Sequence, residues 1–60
     1  MMRVDIRELA AQILASRTIS RLEQQLMAAL LGQEGLDDQE RTLIERVFYG
    51  VRHGLLNVVE

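Results

Sequence analysis

Sixty residues make a single domain, 1–60, near the lower size limit for a core, because so short a chain buries only about 60% of the surface its unfolded form exposes. With no cysteine, disulfides and thiolate metal sites are excluded as supplements to that core, which leaves a partner subunit. Seven arginines against nine acids give a formal net charge of −2, so no broad attraction to nucleic acid or anionic membrane follows.

The apolar fraction is 48%, and only Phe48 and Tyr49 are aromatic. The longest apolar run, Leu26 to Leu31, falls far short of the roughly 20 residues that span a bilayer. The start, Met1-Met2-Arg3-Val4-Asp5, lacks a signal-peptide core, so a cytoplasmic protein is expected by elimination.

In chain order, Ile6, Leu9, Ala10 and Ile13 recur at three- and four-residue spacing and predict a first helix over about 4–16. Arg3, Arg7 and Glu8 fall on its remaining surface. The polar and β-branched stretch Ser16-Arg17-Thr18-Ile19-Ser20 interrupts the period. Ser20 and Glu23 then form an S-x-x-E capping box and open a second helix over about 20–32. Leu22, Leu26, Ala29 and Leu30 share a face of it. Met27 and Leu31 widen that face, so its C-terminal half is expected to be buried nearly all round. Gly32 and Gly35 bracket the next turn.

A third helix is predicted over about 37–53. Asp37 is its N-cap, Asp38 and Glu40 sit against the positive end of its dipole, and Asp37 precedes Arg41 at ion-pair spacing. Leu43, Ile44, Val47, Phe48 and Val51 draw its apolar stripe, and Gly54 ends it. Gly50 inside the helix makes, with Gly54, a small-x-x-x-small pair that admits a close neighbour. The tail Leu55-Leu56-Asn57-Val58-Val59 has the character of a strand. It is expected to pair with Thr18-Ile19-Ser20, because both pieces follow helix ends and need partners for their backbone groups. Alternation then sends Leu56 and Val58 to one side, Asn57 and Val59 to the other. The fold class is all-α, three helices with a short β-like tail. Self-association is expected because Leu26, Met27, Leu30 and Leu31, together with Ile44, Val47, Phe48 and Val51, exceed what one short first helix covers.

The candidate chemistry is sparse. His53 is the only histidine and lacks the partner ligands of a metal site. Gly54, Leu56 and Glu60, and separately Ile19 and Glu23, match late positions of a calcium-binding EF-hand loop. Carboxylates are absent from its early ligand positions, so no cofactor or metal is expected. The adjacent acids Asp37 and Asp38 read as helix-start residues, and no nucleophile with a base is evident, so catalysis is not expected. Arg17 and Arg21 flank the first turn and, with the free amides there, suit a phosphate or an acidic side chain. The third helix resembles one of a bacterial sigma-factor DNA-binding region, but its head carries three acids that phosphates repel.

The stretches Thr18 to Arg21 and Glu45 to Val59 resemble a group of short cyanobacterial proteins of unassigned function. That resemblance implies a photosynthetic bacterial cytoplasm and carries no activity and no site residue. The expected function is a non-catalytic protein-interaction or regulatory adaptor, a homo-oligomer (most simply a dimer) contacting an unidentified protein through Arg17, Arg21, Phe48, Val51 and Leu55. The alternative is a small transcription-associated factor that touches nucleic acid through Arg17 and Arg21.

Overall fold

The computed structural model describes residues 5–60; Arg3 and the start expected for the first helix at about residue 4 lie outside them. Helix α1 (Ile6–Ser16) begins behind Asp5, whose extended backbone and carboxylate cap the amides of Arg7 and Glu8. Strand β1 (Thr18–Ser20) runs without a loop into helix α2 (Arg21–Leu31). Ser20 is at once the last strand residue and the N-cap of α2, and its capping box with Glu23 is complete. Helix α3 (Asp38–Arg52) starts on a second box, between Asp37 and Glu40, and strand β2 (Asn57–Val59) follows.

The expected pairing of the tail is present, and it is parallel: Thr18 faces Asn57, Ile19 faces Val58 and Ser20 faces Val59. Parallel neighbours need a long crossover, which α2 and α3 together supply. α1 packs chiefly against α3, and their starts lie at one end of the molecule, where Arg7 reaches Asp37 at 2.9 Å. At the opposite end the Asn57 amide donates to the Arg17 carbonyl at 2.9 Å. α1 and α3 therefore run side by side in the same direction, and the two-stranded sheet closes their C-terminal ends.

One core joins all the pieces: Ile6, Ala10 and Ile13 of α1, Ile19 of β1, Met27 of α2, Ile44 and Val47 of α3, and Leu56 just before β2. Three expectations are corrected by it. First, α2 is not buried all round. Met27 alone is fully buried, Leu30 and Leu31 are half-buried, Leu26 lies at the surface and Leu22 is 76% exposed. Because α2 leaves the strand directly through its capping box, its rotation is set there, and the Met27–Leu30–Leu31 side turns inward. Second, the apolar positions thought too many for one chain are mostly covered. Ile44, Val47 and Met27 are enclosed, while Leu30, Leu31, Phe48 and Val51 rest half-buried against the core. Third, burial does not alternate along the tail: Leu56 is buried, but Asn57, Val58 and Val59 are all exposed, since the strand leaves the core once Leu56 is seated.

Candidate functional site: the cleft at the sheet end

The turn from α3 into β2 builds the site. Gly54 takes a left-handed φ of 71°, the Leu55 amide returns to the Gly50 carbonyl at 2.8 Å, and the Gly54 amide returns to that of Val51 at 3.3 Å. These two bonds make a Schellman stop, which satisfies carbonyls that the helix end would otherwise leave open. The stop folds Leu56 back onto Gly50. A Cβ at position 50 would lie 2.9 Å from Leu56 Cγ, so any larger residue there would force the tail's own side chain to shift. The close approach expected at Gly50 is thus made inside the chain. Leu55, one residue earlier, is thrown outward and stays 61% exposed.

The end of α1 turns differently. Arg17 adopts φ 59° and ψ 28°, the left-handed region, which costs an L-residue roughly 1–2 kcal/mol. That conformation stops α1, its amide still bonded to Ile13, and points its carbonyl at Asn57 for the first rung beside the sheet. The Ser16 hydroxyl supports the corner, meeting the Ile13 carbonyl at 3.3 Å and the Thr18 hydroxyl at 3.0 Å.

Between these two corners lies a cleft of about 260 Å³, lined by Leu14, Arg17, Arg46, Tyr49, Gly50, Leu55 and Leu56. Gly50 and Leu56 are buried beneath it, and Leu14 is half-buried. Tyr49 is 58% exposed and its ring lies 4.1 Å, centroid to centroid, from that of His53 one helical turn on. No carboxylate lines the cleft. Among the described residues the ion pairs belong to Arg7 with Asp37 and to Arg21 with Glu60, at 3.2 Å. Neither Arg17 nor Arg46, both of which border the cleft, is in an ion pair among the described residues; on its other side Arg46 lines a depression shared with Asp38. Helix polarity explains much of this layout: the acids Asp5, Glu8, Asp37, Asp38 and Glu40 collect where α1 and α3 begin, and the cleft opens toward their C-terminal ends.

The residues expected from sequence to make contacts are dispersed. Arg17 and Leu55 border this cleft. Arg21 and Phe48 line a separate depression of about 280 Å³ with Gln24, Gln25 and Ala28, and Val51 packs against the core. Arg46 and Tyr49 were missed, for they bear no mark in the sequence beyond lying one turn apart on the polar flank of α3. Asp37 also chooses a partner other than the expected Arg41. Its carboxylate folds over the α3 start to accept from the Glu40 amide at 2.7 Å and meets Arg7 of α1. Among the described residues no cluster of three or more His, Asp or Glu is placed to hold a metal ion. A cleft lined by leucines, a tyrosine and two arginines has the chemistry to suit an anion carried on an apolar body.

Comparison with protein-family models, with curated proteins and with solved structures finds no match for the chain. Its function is read from the cleft and the surface around it.

Proposed function

We propose that the chain is a small, non-catalytic protein-interaction or regulatory adaptor module of the cytoplasm that also associates with itself. One observation supports this above others: large apolar side chains remain outside a core that is already complete. Leu22, Tyr49, Leu55, Val58 and Val59 all belong to the sheet end, on α2's first turn, α3's last turns and the tail. Exposed apolar groups gathered on one end of a small domain mark a contact surface.

A photo-crosslinking residue at Leu55 or Leu22, in the organism that makes the chain, is expected to yield discrete protein adducts. The same residue at exposed Gln12 of α1 is expected to yield none, and equal labelling at all three sites counts against the proposal. Self-association is checked by light scattering at micromolar concentration. A mass of one chain, with a melting temperature independent of concentration, removes that part. The nucleic-acid reading keeps one support, Arg17, which forms no ion pair among the described residues, but its other cation, Arg21, pairs with Glu60 at 3.2 Å. Steeply salt-dependent binding of duplex DNA would restore it.

A further inference from the structure

Resting on the interaction-module reading, we infer that the cleft between α1, α3 and the tail receives an acidic peptide segment of a partner protein. One large apolar side chain of that segment sits between Tyr49 and Leu55, and its neighbouring carboxylates meet Arg17 and Arg46.

Size comes first. A space of about 260 Å³ is below the range of about 300–1,000 Å³ that holds a cofactor or other drug-sized molecule, yet it accommodates a single leucine or aromatic side chain. Charge comes next: two arginines line the space and no acidic residue does, so the complementary occupant carries carboxylates close to its apolar anchor. A polynucleotide offers anions but no large aliphatic side chain to fill a floor of Leu56 and walls of Leu14 and Leu55. The third argument is conformational. Arg17 occupies a left-handed position that glycine fills without strain, and among the described residues its side chain makes no hydrogen bond or ion pair. The fold needs the turn there, and the guanidinium adds to it only its charge at the C-terminal end of α1. A strained residue whose side chain serves so little internally is the expected mark of a contact made outward. Finally, arginine and tyrosine are the residue types that most often anchor protein interfaces.

The full chain, immobilised and panned with a random peptide library, tests this. Enriched peptides are expected to carry two or more acids beside a leucine or aromatic residue. A synthetic copy of an enriched peptide, followed by fluorescence anisotropy, should bind Arg46→Ala and Arg17→Gly at least about tenfold more weakly, and Arg46→Lys by less. Arg17→Gly should at the same time melt about 4 °C higher, which separates loss of contact from loss of fold. Enrichment of apolar or basic peptides, or acidic peptides indifferent to both arginine substitutions, overturns the acidic chemistry; Leu55 adducts would then still uphold an interaction module. Enrichment of nothing also overturns it, as does duplex DNA displacing a bound peptide with a steep salt dependence. A dimer that dissociates on Arg46→Glu, with no peptide enriched, would give the cleft to a second copy and overturn it too.

Discussion

The molecule closes its two ends with the same local device and very different surroundings. At the sheet end, Ser20 and Glu23 cap α2 with bonds of 2.9 and 3.0 Å, part-buried. At the other end, Asp37 and Glu40 cap α3 with bonds of 3.1 and 2.7 Å, in the open. The Asp37 box is joined to the rest of the fold through the exposed Arg7 pair. The Ser20 box lies in a strand whose central residue, Ile19, is fully buried and whose partner comes from the far end of the chain. A cap is worth what its neighbourhood makes of it. The acid end is held by exposed contacts screened by water, its long-range link being the Arg7–Asp37 pair, whereas the sheet end is where distant segments meet around buried side chains and where the cleft forms.

Breaking the sheet end should therefore cost most. Deleting residues 55–60 removes Leu56 from the core along with the parallel pairing. We expect the melting temperature to fall by more than about 10 °C, or cooperative unfolding to be lost. In the intact chain, the Leu56 and Asn57 amides, bonded to the Gly50 and Arg17 carbonyls, should exchange slowly. A tail that exchanges like a free peptide, or whose deletion leaves the melt unchanged, would show that it is no part of the fold.

The contact beneath the cleft gives the next effect. Gly50→Ala improves helix propensity by about 1 kcal/mol but drives a methyl into Leu56. Overpacking costs about 1–3 kcal/mol, so the net destabilisation expected is up to about 2 kcal/mol. Leu56→Ala alone should cost about 2–5 kcal/mol. In the double variant the clash disappears, so the cost of Gly50→Ala measured there should vanish or reverse. Additive losses would contradict the geometry. Smaller again, Ser20→Ala should cost about 1 kcal/mol.

Much of this was legible because its causes are local. Capping boxes announce α2 and α3, three- and four-residue spacing gives the buried faces of α1 and α3, and two β-branched pieces after helix ends imply their own pairing. What escaped depends on three dimensions. Arg17 looks like a solvated turn residue, since nothing in an arginine announces a left-handed backbone, as glycine would. The rotation of α2 follows from its fusion to β1, so the Leu22–Leu26 pair, the more obvious apolar face, ends at the surface while Met27 goes inside. Arg46 and Tyr49 gain meaning only once Leu55 and Arg17, from opposite ends of the chain, are folded beside them. Most of the apolar residues that suggest self-association in the sequence are covered within one chain, and the exposed Leu22, Leu26, Val58 and Val59 are those left for a second copy.

The smallest effects belong to the acid end, where they isolate charge from capping. The Glu40 amide beside it, chiefly, and Arg7 after it hold the Asp37 carboxyl below its ordinary value of 3.8, against an opposing desolvation. A carboxyl with a lowered folded pKa favours the folded state when ionised. As the pH falls below 3.8, the unfolded chain takes up this proton first, so the contribution is full above that value and is lost as pH drops through the folded pKa. Asp37→Asn keeps an oxygen to accept from Glu40 and removes the charge together with the second oxygen, which accepts from Arg7. It should lower the melting temperature by a few degrees at neutral pH, with the difference from the parent chain shrinking as the pH falls below about 4. Arg7→Gln should do less, within about 2 °C, because both partners of its ion pair are about half exposed and such pairs contribute little. That difference should fade further in high salt. If Arg7→Gln proves as damaging as losing Leu56, the acid end is holding α1 to α3 as firmly as the sheet does, and the contrast between the two ends fails.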